Sequence, residues 1–141
     1  MKSLLKGIGN TQQVEKFYDD WSKEYDQSLV DWNYRAPKQS VKILDRLINF
    51  KPKLLFDLAC GTGLFVEEFS KVYPECICHG SDISQKIINI SNKKNIYQKL
   101  FKSSFERKIK IKTRYDIVSL IGAMTYCQNH KLLFKLVSSY L

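Results

Sequence analysis

At 141 residues, 44% hydrophobic and 26% charged, the chain has the size and composition of one globular domain. No uncharged apolar run reaches the roughly 18–20 residues that a membrane helix needs. The basic start, Met1 to Asn10, leads into no apolar leader core, so a cytoplasmic protein without a membrane partner is expected. The formal charge of +9 fits either a polyanion partner such as RNA or a lysine-rich composition whose cations are solvated. The cations are scattered, densest over Lys93-Lys94, Lys99, Lys102 and Arg107 to Lys112, and nucleic acid is the lesser expectation.

In chain order, residues 11–30 predict a helix, because Val14, Phe17, Tyr18, Trp21, Tyr25 and Leu29 recur at spacings of three and four. Thr11 is the expected N-cap, with Glu15 and Asp19 early, where the helix dipole favours acids. A second helix is expected from Pro37 to Asn49, presenting Val41, Leu44, Leu47 and Ile48. Lys51-Pro52-Lys53 ends it. Leu54 to Leu58 is a short apolar run that suits a strand buried on both faces of a parallel sheet. After a glycine loop, Leu64 to Val72 predicts a helix, Cys76 to Ser81 a strand and Ser84 to Lys93 a helix. Tyr97 to Lys102 is a weak third strand, Tyr115 to Ile121 a clear fourth, and Lys131 to Leu141 a closing helix. Strands alternating with helices mean an α/β fold with a parallel sheet. The expected organisation is a helical lead-in over 1–50 and an α/β core over 51–141, in a single domain.

The cysteines are Cys60, Cys76, Cys78 and Cys127. Cys76-Ile77-Cys78-His79 lacks zinc-ligand spacing, since Cys78 and His79 point to opposite faces of a strand, so buried thiols in a reducing compartment are expected and no metal.

The strongest signal is a strand followed by Asp57-x-x-x-Gly61-x-Gly63 and a helix. A nucleoside cofactor must lie close to the backbone at the strand's carboxyl end, and glycines remove the side chains that would block it. Amides at the next helix N-terminus suit a ligand carboxylate. Asp82 ends the second strand, where its oxygens can accept from ribose hydroxyls. A nicotinamide fingerprint would need a third glycine where Val66 stands. Asp57 would welcome a ligand ammonium or sulfonium and repel a pyrophosphate.

Leu55 to Phe65 resembles motif I of class I S-adenosylmethionine-dependent methyltransferases, and Gly80-Ser81-Asp82-Ile83-Ser84 resembles their second motif. Tyr115-Asp116-Ile117-Val118 resembles their fourth strand, and Phe17 to Asp26 their lead-in helix. Lys94 to Leu100 is similar to methyltransferases that accompany TPR repeats, though no repeat is present. The resemblance implies a Rossmann-like, doubly wound parallel sheet of order 3-2-1-4 with two N-terminal helices, lacking the last three of the usual seven strands. It implies S-adenosylmethionine as cofactor. Asp57, Ala59, Gly61 and Gly63 would line its methionine part, with Cys60 and Thr62 in the same loop. Asp82 would bind the ribose and Ile83 would pack on adenine. Ile121, Gly122 and Ala123 would close the pocket, and Trp21 and Tyr25 would cover the methionine end. The plainer reading of those two aromatics is core packing. Where family members carry an acid after the third strand, this chain has Lys102-Ser103-Ser104, so Ser104 is expected to substitute.

The resemblance implies methyl transfer to an unidentified acceptor, expected to be a small molecule. Ile121 to Tyr126 lacks the N/D-P-P-Y/F signature of DNA amino-methyltransferases. No catalytic residue is assigned. His130 is the nearest candidate base, and its plainer reading is a solvated helix start. Missing strands would leave the fourth strand as an open edge, inviting self-association or a partner chain. Two other readings stay open: a non-catalytic remnant or subunit that binds cofactor or a partner, and an RNA methyltransferase whose RNA affinity falls steeply with salt.

Overall fold

Leu54–Leu58 forms the central strand β1, buried along almost its whole length. β2 (Ile77–Asp82) pairs with it in parallel on one side and β4 (Ile117–Leu120) on the other, while β3 (Lys99–Lys102) joins β2. The order β3-β2-β1-β4 is the expected one. The chain reverses direction across the sheet between β1 and β4, which makes the carboxyl end of these two strands the place for a ligand. The computed structural model describes residues 10–141. The amino-terminal segment read above for a leader, Met1 to Gly9, lies outside them.

Each face of β1 has its own core. Leu55 packs with Cys78 and Ile117 under α3 (Ala36–Leu47) and α4 (Leu64–Val72), through Val41, Phe65, Val66 and Phe69. Phe56 and Leu58 face the other way, against Tyr115, Tyr140 and the inward side of α6 (His130–Ser138). Phe105, Ile109 and Ile111 of the irregular segment before β4 complete this second core. The same segment holds Arg107, Lys108, Lys110 and Lys112 exposed. The Tyr115-Asp116 pair has a plain structural use. Tyr115 stacks on Phe56 and bonds His79 Nδ1 at 2.7 Å, while Asp116 accepts from the amides of Lys53 and Leu54 at 2.7 and 3.0 Å. That carboxylate fixes the start of β1 against the start of β4. His79 is buried in this core, between Tyr115 and Gln98.

The lead-in differs from the expected single helix over 11–30, so three helices rather than two precede β1. α1 spans Thr11–Trp21 and α2 spans Tyr25–Asp31. Ser22 breaks the run by donating its hydroxyl to the Asp19 carbonyl at 2.9 Å, and the chain turns there with Glu24 N bonded to Trp21 O. The N-cap of α1 is Asn10, not Thr11, because the Asn10 side chain accepts from Gln13 N at 3.1 Å. Elsewhere boundaries move by one to three residues, the most at the end of α6, which stops at Ser138 rather than Leu141. α5 spans Gln85–Lys93 with Ser84 as its N-cap, and α6 opens at His130 with Asn129 as cap. A 3-10 turn at Met124–Tyr126, absent from the sequence reading, follows β4. Among the described residues, no helix is long and apolar enough to cross a membrane. The outer edges of β3 and β4 have no strand neighbour among the described residues, and Leu132 and Phe134 of α6 are exposed.

Candidate functional site

The turn after β1 is built from left-handed residues at alternate positions: Ala59 (φ 50°), Gly61 (φ 56°) and Gly63 (φ 93°). A non-glycine residue with positive φ is uncommon and marks a place where the surroundings hold strain. Nothing in the sequence around Ala59 signalled it. The two glycines serve different neighbours. A Cβ on Gly61 would stand 3.5 Å from the Tyr25 hydroxyl, on the side of the cleft described below. A Cβ on Gly63 would meet Ile96 Cδ1 at 2.7 Å and Tyr97 Cε2 at 3.1 Å. Gly63 therefore lets the segment before β3 close onto the start of α4, and lies away from the cleft.

Asp82 anchors this loop from the neighbouring strand. Its Oδ2 accepts from Gly61 N at 2.9 Å and its Oδ1 from Ser84 N at 3.0 Å. The carboxylate still borders the cleft. Burial pushes its pKa up, and the amides of Ser84, Gly61 and Ile83 oppose this. Asp57 is 1% exposed and accepts from Ser119 Oγ at 2.6 Å and Tyr97 Oη at 2.8 Å. Burial raises its pKa to about 6 despite both bonds. Its bonded partners are neutral hydroxyls, not cations.

A cleft of about 170 Å³ opens at the carboxyl ends of β1 and β2. Ala59, Gly61, Asp82 and Ile83 form its floor, and Ser103 to Glu106 form one side. Ile121, Gly122, Ala123 and Tyr126 close it from β4. Asn10, Thr11, Val14 and Tyr18 of the lead-in cover it. A smaller adjoining cavity of about 30 Å³ is bordered by Asp57, Cys60, Thr62 and Tyr34, and shares Tyr25, Ala59, Gly61 and Ile121 with the cleft.

Of the residues singled out in the sequence, Tyr25, Ala59, Gly61, Asp82, Ile83, Ser104, Ile121 and Gly122 border the cleft. Asp57, Cys60 and Thr62 border the smaller cavity. Trp21 and Gly63 border neither. Trp21 gives its indole N–H to Ser28 Oγ at 3.1 Å and packs edge-on to Tyr25 at 4.8 Å between ring centroids, so it supports a wall residue. Ser104 spends its hydroxyl oxygen on Glu106 N at 3.3 Å. Gly122 (φ 80°) gives room to Tyr34, whose hydroxyl would lie 2.5 Å from a Cβ there. His130 is exposed at the start of α6 and outside the cleft.

Sequence reasoning missed Tyr18, Tyr126 and Glu106. Tyr18 donates to the Tyr126 hydroxyl at 3.1 Å across the cleft, and burial raises both pKa values. It also missed how the lead-in is attached. Asp19 accepts from Ser84 Oγ and, at 3.3 Å, from Lys86 N, placing a carboxylate at the amino end of α5. Asp26 accepts from Thr62 Oγ1 and pairs with Lys94 at 3.3 Å. The signal was present as a repeated Tyr-Asp pair, at 18–19 and 25–26. In each pair the tyrosine faces the cleft and the aspartate grips the core.

A family profile described as "Methyltransferase domain" matches residues 55–141. The chain is 32% identical to human Methyltransferase-like protein 27 over 84% of its own length and 50% of that protein's. It is 26% identical to Malonyl-[acyl-carrier protein] O-methyltransferase 2 of Ilyobacter polytropus over 92% of this chain and 50% of the relative. It thus spans about half the length of these curated relatives. Among solved structures, the plantazolicin methyltransferase BpumL, crystallised with a desmethylPZN analog and SAH, superposes with a TM-score of 0.68 at 19% identity, covering 97% of this chain and 57% of that one. Magnesium protoporphyrin IX methyltransferase from Synechocystis PCC 6803, with bound SAM, gives 0.69 at 15%, covering 92% and 71%. The fold is that of the Rossmann-like methyltransferases, and the chain belongs to the methyltransferase domain family.

Proposed function

We propose that this member of the methyltransferase family binds S-adenosylmethionine in the cleft and transfers its methyl group to a small-molecule acceptor. The observation that carries the reading is the junction of Gly61 and Asp82: a left-handed glycine on the cleft wall, held by a carboxylate that itself borders the cleft. The residues fit the cofactor. Asp82 would hold the ribose hydroxyls, with Ile83 and Ile87 offering apolar surface to the adenine. Asp57, buried without a cation, suits the positive end of the methionine moiety. When bound, the cofactor supplies an activated methyl on a sulfonium whose leaving group is neutral, so little acid catalysis is required. The chain's own contribution is alignment and exclusion of water. Tyr18, Tyr25 and Val14 roof the cleft for that purpose.

Calorimetry with S-adenosylmethionine and its demethylated product tests the reading. Micromolar binding that weakens at least tenfold in Asp82→Ala is the expected result, and absence of binding of either compound sinks it. A companion reading is a methyltransferase-like subunit that binds the cofactor without turnover. Cofactor binding without transfer to any acceptor in a cell extract would favour that subunit. A cytoplasmic setting suits the free thiols of Cys60, Cys78 and Cys127.

A further inference from the structure

The basic stretch before β4 takes no part in the cleft, and its geometry is regular. Crossovers between parallel strands are usually helical, and a helix would scatter these cations around its axis. Between β3 and β4 the chain instead runs from Lys108 to Tyr115 without a turn, bend or helix. Exposure alternates along it. Lys108, Lys110, Lys112 and Arg114 are exposed, while Ile109 and Ile111 pack into the second core with Tyr115. The run is pinned along its length. Ile109 N donates to Tyr140 Oη at 2.8 Å and Tyr115 N to Tyr140 O at 2.9 Å. Arg114 Nη1 donates to the carbonyls of Ser139 and Leu141 at 2.8 and 3.1 Å. Among the described residues none of the four cations joins an ion pair, whereas Lys71, Lys94 and Lys102 do. The acids that flank the row are spent on backbone amides: Glu106 accepts from Gln128 N at 3.1 Å, and Asp116 from Lys53 N and Leu54 N. The row therefore keeps its charge.

We infer that this row grips the phosphodiester backbone of a single-stranded nucleic acid. In an extended chain, alternate residues recur at roughly 6–7 Å. That step is close to the one between successive phosphates of an extended strand, so each cation can meet one phosphate. A row one side chain wide suits a linear polyanion. A membrane presents a plane and rewards inserted apolar side chains, and here Ile109 and Ile111 are turned inward. The row also offers no aromatic ring on which a base could stack, so it holds the backbone without reading sequence. It starts two residues beyond Glu106, which borders the cleft, and ends at the amino end of β4, opposite the cleft. The surface is thus separate from the cleft, and the inference stands whatever acceptor the cleft takes.

The test uses the whole chain and a fluorescein-labelled uridylate dodecamer, followed by anisotropy across a salt series. Four phosphate contacts predict a slope of log K against log salt of about −3, a fall of roughly fiftyfold between about 50 and 200 mM salt. Lys108→Gln, Lys110→Gln and Lys112→Gln together should weaken binding at low salt at least tenfold and bring the slope to about −1. Lys38→Gln, Lys42→Gln and Arg46→Gln on α3 remove the same charge from the opposite face of the sheet, and should weaken binding less than threefold. A thymidylate dodecamer should bind within threefold of the uridylate, because the row meets phosphate and not the sugar. No binding at low salt overturns the proposal, as does a slope that the first triple variant leaves unchanged. An equal loss in the α3 variant overturns it too, since net charge alone would then account for the binding. Tighter binding to polyglutamate of matched charge, or to vesicles of phosphatidylcholine with phosphatidylserine, overturns the choice of partner. Thermal melts check that both variants fold. If the first does not, the salt slope of the parent chain and its preference for the dodecamer over polyglutamate and vesicles decide.

Discussion

The lead-in helices and the sheet are secured by different forces. β1 brings Leu55, Phe56 and Leu58 to essentially complete burial, each against aromatic or branched neighbours. α1 has no buried residue at all. It attaches through Asp19 at the amino end of α5, Glu15 to Lys102 at 2.6 Å, and the Tyr18–Tyr126 hydroxyl pair. Apolar burial is long-lived and insensitive to salt, whereas exposed charge pairs contribute little and are screened. The contrast suits a site whose floor must be rigid and whose roof must admit a ligand.

The largest break in this comparison is in the floor. Phe56 stacks on Tyr115 at 4.9 Å and meets Tyr140 edge-on at 5.1 Å. Phe56→Ala should cost about 3–5 kcal/mol of global stability, from lost transfer energy and the cavity left behind. Urea unfolding would measure it, and a cost below about 1 kcal/mol would mean that the second core is not where the stability resides.

The next effect separates stability from binding. Burial raises the Asp57 pKa from 3.8 to about 6. A carboxyl raised in the folded state favours folding when protonated. Its stability contribution is therefore complete below about pH 4 and is lost as pH rises through 6. His79 runs the other way. Burial lowers its pKa from 6.5, so its contribution is complete above that value and is lost as the pH falls. Asp57→Asn should stabilise the chain at pH 7 by up to about 3 kcal/mol and leave it unchanged near pH 4. The same variant should weaken S-adenosylmethionine binding at least tenfold. Thermal melts at the two pH values and calorimetry check both halves. A variant equally stable at pH 7 would mean that Asp57 is not held at a cost.

How much was legible in the sequence follows the same division. Sheet order, strand positions and the Gly61–Asp82 junction were readable, because local pattern and chain order determine them. β3 shortened by two residues because the chain bends at Gln98 and pairs in register with β2 only from Lys99. The break at Ser22 was hidden because helical spacing continues through it, and a side-chain hydroxyl competing for one carbonyl leaves no periodic trace. Tyr126 and Glu106 lie in segments without period, and their place in the cleft depends on contacts across 22 residues or more. Gly63 was read correctly as a required glycine but for a different neighbour. Gly63→Ala should cost about 2 kcal/mol through backbone strain and the clash with Ile96 and Tyr97. Gly61→Ala, whose Cβ would make only van der Waals contact with Tyr25, should cost about half as much and act mainly on cofactor affinity.

The smallest expected change in global stability bears most directly on the roof. Asp19→Asn removes the charge that faces the amino end of α5, and Asp26→Asn weakens the link to Thr62 and Lys94. Each should lower global stability by no more than about 1 kcal/mol, since these groups lie at or near the surface and bury little apolar area. The local effect should be larger. Proteolysis at the 22–24 turn should accelerate several-fold in either variant and more in the double variant. Raising the salt should speed cleavage of the parent chain too, by screening the ion pairs of Lys94 and Lys102. Cofactor affinity should fall by a few-fold, because Tyr18 and Tyr25 hold their wall positions only while the adjacent aspartates are docked. If the double variant instead unfolded as readily as Phe56→Ala, roof and floor would form one cooperative unit. If cleavage at the turn were unchanged, the aspartates would be bystanders, and the aromatic cluster of half-buried Trp21 and Tyr25 with exposed Trp32 would be what holds the lead-in in place.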